Sequence, residues 1–245
     1  MFFFDRILGL TSPKISIPDA MNFGSAVHKA CENAVNEAVK NGKFWESDEF
    51  VKETKIQIDK YPYSSFKQRE QYKTIAETSI REFYEQDLSK IDIDTVYNVE
   101  KDIVTEFEGV KFKGLPDRIN LIDGKFNIYD YKTGTPKGLK QICFTDSENE
   151  DLGQYEEYYI QMGLYKYFLE KTDKEHRKVE KTVFLFPQNC DKPCEVTYSD
   201  EDMEKVLDKY RYAINGIKSQ NFEPTPSKVS CKYCAFKNDL CTCAK

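Results

Sequence analysis

Residues 114–134 read GLPDRINLIDGKFNIYDYKTG. Two runs of period two, GLPDRINLI and KFNIYDYKTG, flank Asp123-Gly124, a dipeptide that favours a tight hairpin because both residues tolerate positive φ. Each run carries an aspartate among apolar neighbours: Asp117 lies between Leu115-Pro116 and Ile119, and Asp130 follows FNIY. Antiparallel pairing across the turn brings the two carboxylates to neighbouring positions at one end of a sheet.

Like charges held together need a partner. A hard divalent cation fits, because carboxylate oxygens suit Mg²⁺ and leave positions for water and a phosphate. Lys132 shares the face of Asp130 by strand alternation, so its ammonium can stand beside a charge developing on phosphorus. An isolated Asp-x-Lys is usually a solvated charge pair. Here both acids emerge from elements expected to be buried, where an acid without a partner is costly. The trio has the make-up of a phosphodiester-cleaving site.

The whole chain is compatible with that chemistry. Its 245 residues, 40% hydrophobic and 14% aromatic, can bury a core. The net charge of −6, from 36 basic and 42 acidic residues, lacks the basic excess that by itself announces nucleic-acid binding. No apolar run reaches membrane-spanning length, and Asp5 and Arg6 interrupt MFFFDRILGL as they would not in a secretory signal, so a cytoplasmic protein with no membrane partner is expected.

Around the hairpin, the periodicity predicts a capped helix from Pro18-Asp19 to Gly42, burying Phe23, Val27, Ala30, Ala34, Val35 and Ala38 with His28 beside that face. Residues 46–88 read as a pair of more polar helices. Residues 95–132 read as a three-strand meander; a polar loop over 134–150, a helix over 152–171, the strand VEKTVFLF, a short strand EVTYS and a helix over 200–218 follow. This order predicts an α/β fold with a central mixed sheet flanked by helices, in residues 1–228, plus a small cysteine module in 229–245.

GLPDR and IYDYKTG, with GSAVH upstream and QMGLY downstream, together resemble the RecB-type branch of the PD-(D/E)XK nucleases, whose core is restriction-endonuclease-like. That branch includes the nuclease domains of recombination helicases, the CRISPR adaptation nucleases and many phage exonucleases. The resemblance implies that Asp117, Asp130, His28 and the carbonyl of Tyr131 hold Mg²⁺ or Mn²⁺, and that Lys132 positions or activates water. It implies that Gln161 and Tyr165 contact DNA and steady the site. These two are four apart and so share a helical face. Arg118, Lys137 and Lys140 are candidates to steer a phosphate backbone, or solvated loop charges; Tyr155, Tyr158 and Tyr159 are candidates to stack on bases, or core residues.

Four of the eight cysteines, Cys231, Cys234, Cys241 and Cys243, crowd into CKYCAFKNDLCTC. A C-x-x-C pair with further thiolates makes either a zinc site or an iron–sulfur site, and in a reducing compartment is no disulfide. In iron–sulfur members of the resembled family three C-terminal cysteines join a fourth that precedes the motif histidine. Cys231, Cys234 and Cys241 match that trio, which implies a [4Fe-4S] cluster, with Zn²⁺ the alternative. No cysteine precedes His28, so either the chain starts late or another cysteine substitutes: Cys243 or Cys31, ahead of Cys190 and Cys194. The expected function is a divalent-metal-dependent deoxyribonuclease, an exonuclease on single-stranded ends. The alternative is a DNA-end-binding subunit working with recombination, repair or CRISPR adaptation proteins.

Overall fold

A computed structural model describes residues 8, 9, 17–144, 155–224, 231, 234, 236 and 241. The chain divides into two compact units, residues 18–207 and a smaller one formed by 1–17 with 208–245. The larger unit opens with α1 (Asp19–Asn41), α2 (Ser47–Asp59) and a helical run made of α3 (Phe66–Ile75), a π-helical turn (Ala76–Ile80) and α4 (Arg81–Gln86). Strands β1 (Val96–Val99), β2 (Ile103–Phe107), β3 (Val110–Gly114), β4 (Arg118–Ile122) and β5 (Lys125–Tyr131) follow. Then come a short helix α5 (Leu139–Ile142), the long α6 (Glu156–Thr172), β6 (Val179–Leu185), β7 (Cys194–Val196) and α7 (Asp200–Lys218), which runs on into the smaller unit.

The sheet has the order β1-β4-β5-β6-β7, antiparallel except for the β5–β6 pair, so it is mixed as expected. The expected three-strand meander is corrected. Residues 96–131 hold five strands, and β2 and β3 form a separate hairpin inserted between two neighbours in the sheet, β1 and β4. The first predicted strand breaks at Glu100, which adopts a φ of 47°, and the second breaks at Leu115-Pro116, because proline cannot donate to a ladder. Both hairpin turns do match expectation: Glu108-Gly109 and Asp123-Gly124 hold positive φ at both residues.

The capped first helix is also as read. Phe23, Val27, Ala30, Ala34, Val35 and Ala38 are buried, and Gly42 terminates α1 at a φ of 71° with its amide on the Ala38 carbonyl. That apolar stripe packs with Phe50, Ile58, Ile80, Phe83 and Tyr84 of the next helices, and with Val99, Tyr131, Val183 and Leu185 of the sheet. On α6, Phe168 meets Phe112 and Tyr167 meets Phe107, so the inserted hairpin rests on this helix. No helix among the described residues is long and apolar enough to cross a membrane.

Parallel strands need a crossover, and α6 supplies it between β5 and β6. Its return is fastened by Asp173, whose carboxylate accepts from the Arg177 amide (2.8 Å) and guanidinium (Nη2, 2.5 Å). The same guanidinium lies 4.8 Å from the centre of the Phe126 ring and 5.3 Å from that of Tyr97. Gly163 sets how closely α6 approaches its neighbours, because a Cβ there would lie 2.9 Å from a Val206 methyl and 3.0 Å from the Tyr198 ring.

Two outcomes follow for stability. Gly163→Ala should destabilise the fold by about 1–3 kcal/mol in denaturant titration, whereas Ala in place of Gly in an open helix gains about 1 kcal/mol. The Arg177 hydrogen bonds hold the Asp173 carboxyl below the usual range. Its contribution is therefore complete above the unfolded carboxyl value of about 3.9 and lost as pH falls through the lower folded one. Asp173→Asn should melt roughly 2–4 °C lower at pH 7, with the gap closing below about pH 4.

Candidate active site

The hairpin register places Arg118 opposite Tyr129, so Asp117, one residue before β4, faces the Asp130 end of β5. Both acids are buried. Asp117 is held from two sides: its Oδ2 accepts from the Tyr131 amide at 2.5 Å, and its Oδ1 lies 2.9 Å from His28 Nδ1. His28 reaches it from α1 because that helix lies close to the end of β5. A Cβ on Gly24, one turn before His28, would stand 2.8 Å from Thr133 Oγ1.

Glu100 completes the cluster. Its backbone amide donates to the Asp117 carbonyl at 3.2 Å, and one ligand atom each from His28, Glu100 and Asp117 all lie within 4.8 Å of one another. Among the described residues this is the one group of three potential ligands close enough to share an ion. Sequence reasoning passed over Glu100 because it took TVYNVEKDIVTEF as one strand. The signal was the charged run Glu100-Lys101-Asp102, which splits two apolar runs.

Asp130 stands apart from that trio. Its Oδ2 is 2.8 Å from Lys132 Nζ, yet makes no well-directed hydrogen bond despite being buried. Lys132 is fixed from α6 as well: Nζ donates to Gln161 Oε1 at 3.0 Å, Gln161 Nε2 donates to the Tyr165 hydroxyl at 3.0 Å, and that hydroxyl donates to the Leu115 carbonyl at 3.2 Å. Gln161 and Tyr165 thus tie Lys132 to the segment that carries Asp117. The Lys132 ammonium lies 4.7 Å from the centre of the Tyr158 ring.

The charges perturb one another strongly. Burial alone would depress the His28 imidazolium, but the carboxylate of Asp117 outweighs it and pushes the pKa up to about 9. Burial works in the other direction on Asp117, where the charge and hydrogen bond of His28 and the Tyr131 amide win and hold the carboxyl low. Glu100 and Asp130 are both pushed up, by burial first and then by the charge of Asp117. Four acids and bases shifted by burial and by one another at one sheet end mark a candidate functional site. A cavity of about 560 Å³ is lined by His28, Glu100, Tyr131 and Lys132 among others.

A divalent cation fits this donor set. Two carboxylates and an imidazole offer hard and borderline ligands, the raised carboxyls report burial and crowded negative charge, and Asp130 Oδ2 is a buried acceptor without a well-directed hydrogen bond.

Other expected residues fall elsewhere. Arg118 is neither a phosphate contact nor a solvated loop charge: it is 4% exposed and lies over the Tyr129 ring at 4.1 Å. The reason is register, since it points to the sheet face opposite Asp117. Lys140 is exposed, and Lys137 caps the Tyr155 ring at 4.3 Å. Tyr159 is a core residue packed on Tyr198, whereas Tyr158 lines the cavity. Among the cysteines, Cys31 belongs to the buried core, Cys194 is buried on β7, and the Cys190 thiol donates to Gln86 Oε1 at 3.3 Å. In the smaller unit the Cys234 amide donates to the Cys231 carbonyl at 3.4 Å and the Cys241 amide to that of Phe236 at 3.0 Å. Cys243 lies outside the described residues.

Comparison with known proteins agrees with this geometry. A crystal structure of a protein from Eubacterium rectale, provisionally named an exonuclease, superposes with a TM-score of 0.52 over 98% of this chain and 77% of that one, at 17% identity. That likeness is one of fold. The structure of SSO0001, with 22% identity over 57% of either chain, has a TM-score of only 0.32, too low to bear on the fold. No curated protein sequence matches. The sequence pattern described as the PD-(D/E)XK nuclease superfamily matches residues 1–242, nearly the whole length. With a hairpin that sets Asp117 at the Asp130 end of β5 and a pattern match over nearly the whole length, the chain belongs to the PD-(D/E)XK nuclease superfamily.

Proposed function

We propose that this protein is a divalent-metal-dependent DNA nuclease of the RecB type, and that it acts as an exonuclease on single-stranded ends. The observation that carries the reading is the convergence of His28, Glu100 and Asp117 within 4.8 Å beside a cavity lined by His28, Glu100 and Lys132. The order of GSAVH, GLPDR, IYDYKTG and QMGLY supports the RecB-type assignment. The named exonuclease from Eubacterium rectale favours end-directed cleavage.

In this reading His28, Glu100 and Asp117 hold Mg²⁺ or Mn²⁺, with Asp130 and the Tyr131 carbonyl as the further ligands that the resemblance assigns. The ion, when bound, lowers the pKa of water and neutralises charge on the phosphate. The protein supplies the rest. Lys132, fixed by Gln161 and Asp130, presents its ammonium to the negative charge that develops on the phosphoryl oxygens. Asp130 thereby acts on Lys132 directly, and Tyr165 and Gln161 act through it. Gly24 keeps α1 against Thr133, which sets the height of His28 over the site.

Cys231, Cys234, Cys241 and Cys243 of the 229–245 module are proposed to hold a [4Fe-4S] cluster or Zn²⁺ that closes the tail after a nuclease domain spanning 1–228. A tight turn between Cys231 and Cys234 suits two thiolates on one ion. Such a module belongs in a reducing compartment such as the cytoplasm.

The test is digestion of end-labelled single-stranded DNA and of a closed circle in Mn²⁺, with EDTA as control. The wild type should shorten the linear strand and leave the circle intact. Lys132→Ala and Glu100→Gln should each lose about 10²–10³-fold in rate while melting like the wild type. Binding of DNA ends without cleavage would instead favour an end-holding subunit of a recombination or CRISPR adaptation assembly. A Lys132→Ala variant as fast as the wild type would remove this site from the reaction.

A further inference from the structure

The cavity above the carboxylates has a wall that the catalytic residues do not explain. Tyr61, in the segment between α2 and α3, lines it together with Met21 at the start of α1, on the same cavity as His28 and Lys132. That segment is fastened at three successive points. The Tyr61 amide donates to the Ile58 carbonyl at 3.2 Å, Asn22 Nδ2 donates to the Pro62 carbonyl at 2.6 Å, and the Ser64 amide donates to Asp19 Oδ1 at 2.8 Å. The Ser64 hydroxyl adds a bond to the second oxygen of Asp19. Beyond it, Tyr63 packs on Tyr72, which stacks on Phe23 of α1 at 4.6 Å. Tyr61 itself packs against the core while remaining partly exposed toward the cavity. It is an aromatic ring held in place before any ligand arrives, and Met21 beside it is 63% exposed.

Electrostatics says why such a ring is needed. Glu32 and Glu100 line the cavity and Asp117 and Asp130 lie buried at the same sheet end, while the cavity's cations are His28, Lys29 and Lys132. Lys29 is already paired with Glu32 at 2.6 Å, and the whole chain carries a charge of −6. The counterion release that drives most nucleic-acid binding is therefore weak here. A strand held near the carboxylates therefore gains from non-ionic contacts beside the ionic ones, and an aromatic face offers one that every base can use regardless of sequence. Bases inside a duplex have both faces covered by their neighbours, whereas an unpaired base has a face to give.

We propose that Tyr61 is a stacking platform for an unpaired base of the bound strand and that it sets a preference for single-stranded over duplex DNA. This rests on the reading of the cavity as a nucleic-acid site. Tyr61 is a specificity-determining residue in contact with the substrate base, and the Asp19, Asn22 and Ser64 bonds are what position it.

The experiment follows a single-stranded oligonucleotide with 2-aminopurine near its end, titrated with protein in Ca²⁺, alongside Mn²⁺-dependent digestion of single-stranded and duplex DNA. Wild type and Tyr61→Phe should quench the fluorophore on binding. Tyr61→Ala and Tyr61→Leu, the latter keeping apolar packing, should bind about tenfold more weakly, lose the quench and narrow the single- over double-strand rate ratio. Thermal melting identifies any variant that fails to fold; either folded variant suffices. Quenching and affinity unchanged in a folded Tyr61→Leu, loss in Tyr61→Phe equal to that in the leucine variant, or no binding by the wild type would each overturn the inference. A wild type that quenches but never cuts would leave the stacking role standing and remove the nuclease reading. A wild type that cuts as proposed, with unaltered Tyr61→Leu binding, would do the reverse.

Discussion

The Asp123-Gly124 turn, with both residues at positive φ, sets the register of β4 against β5, and the chemistry of the molecule depends on that register. A slip of one residue would send every side chain of one strand to the other face. Asp130 would then leave the sheet end shared with Asp117, and Tyr131 could no longer donate its amide to that carboxylate. The turn is local and cheap to form, yet it decides where two buried negative charges sit. The helices complete what the register begins: α1 brings His28 to one side of Asp117, and α6 brings Gln161 to Lys132 on the other.

Burial of those charges is tolerated because each has a specific neighbour. Asp117 is satisfied by an imidazole and an amide, and Lys132 by an amide oxygen and a carboxylate. Asp130 Oδ2 and Glu100 are the incomplete partners, one lacking a directed donor and the other pressed against a second carboxylate. Such a cluster costs stability in the free protein, and a cation bound there would relieve it. Stability given up at the site and recovered on binding would be the physical link between this fold and the proposed metal-assisted reaction.

Much of this was legible in the sequence, and the parts that were not share a cause. The hairpin, the capped α1 and the placement of Asp117, Asp130, Lys132 and His28 follow from turn chemistry, helical periodicity and motif order. Glu100 escaped because strand periodicity runs through VEKD without showing that the backbone turns there into a left-handed conformation. Arg118 misled because adjacency to Asp117 in sequence means opposite faces in a strand. Tyr61 gave no sign of its position because the bonds that hold it, from Asn22 and Ser64 to partners some forty residues away, are tertiary.

Crystals soaked in Mn²⁺ and measured by anomalous scattering at the manganese edge show whether His28, Glu100 and Asp117 form the proposed cation site. An anomalous peak is expected within bonding distance of His28 and of carboxylate oxygens from Glu100 and Asp117, lost in Asp117→Asn. An empty cluster at millimolar Mn²⁺, or a peak bound elsewhere with this trio still hydrogen-bonded to itself, would contradict it.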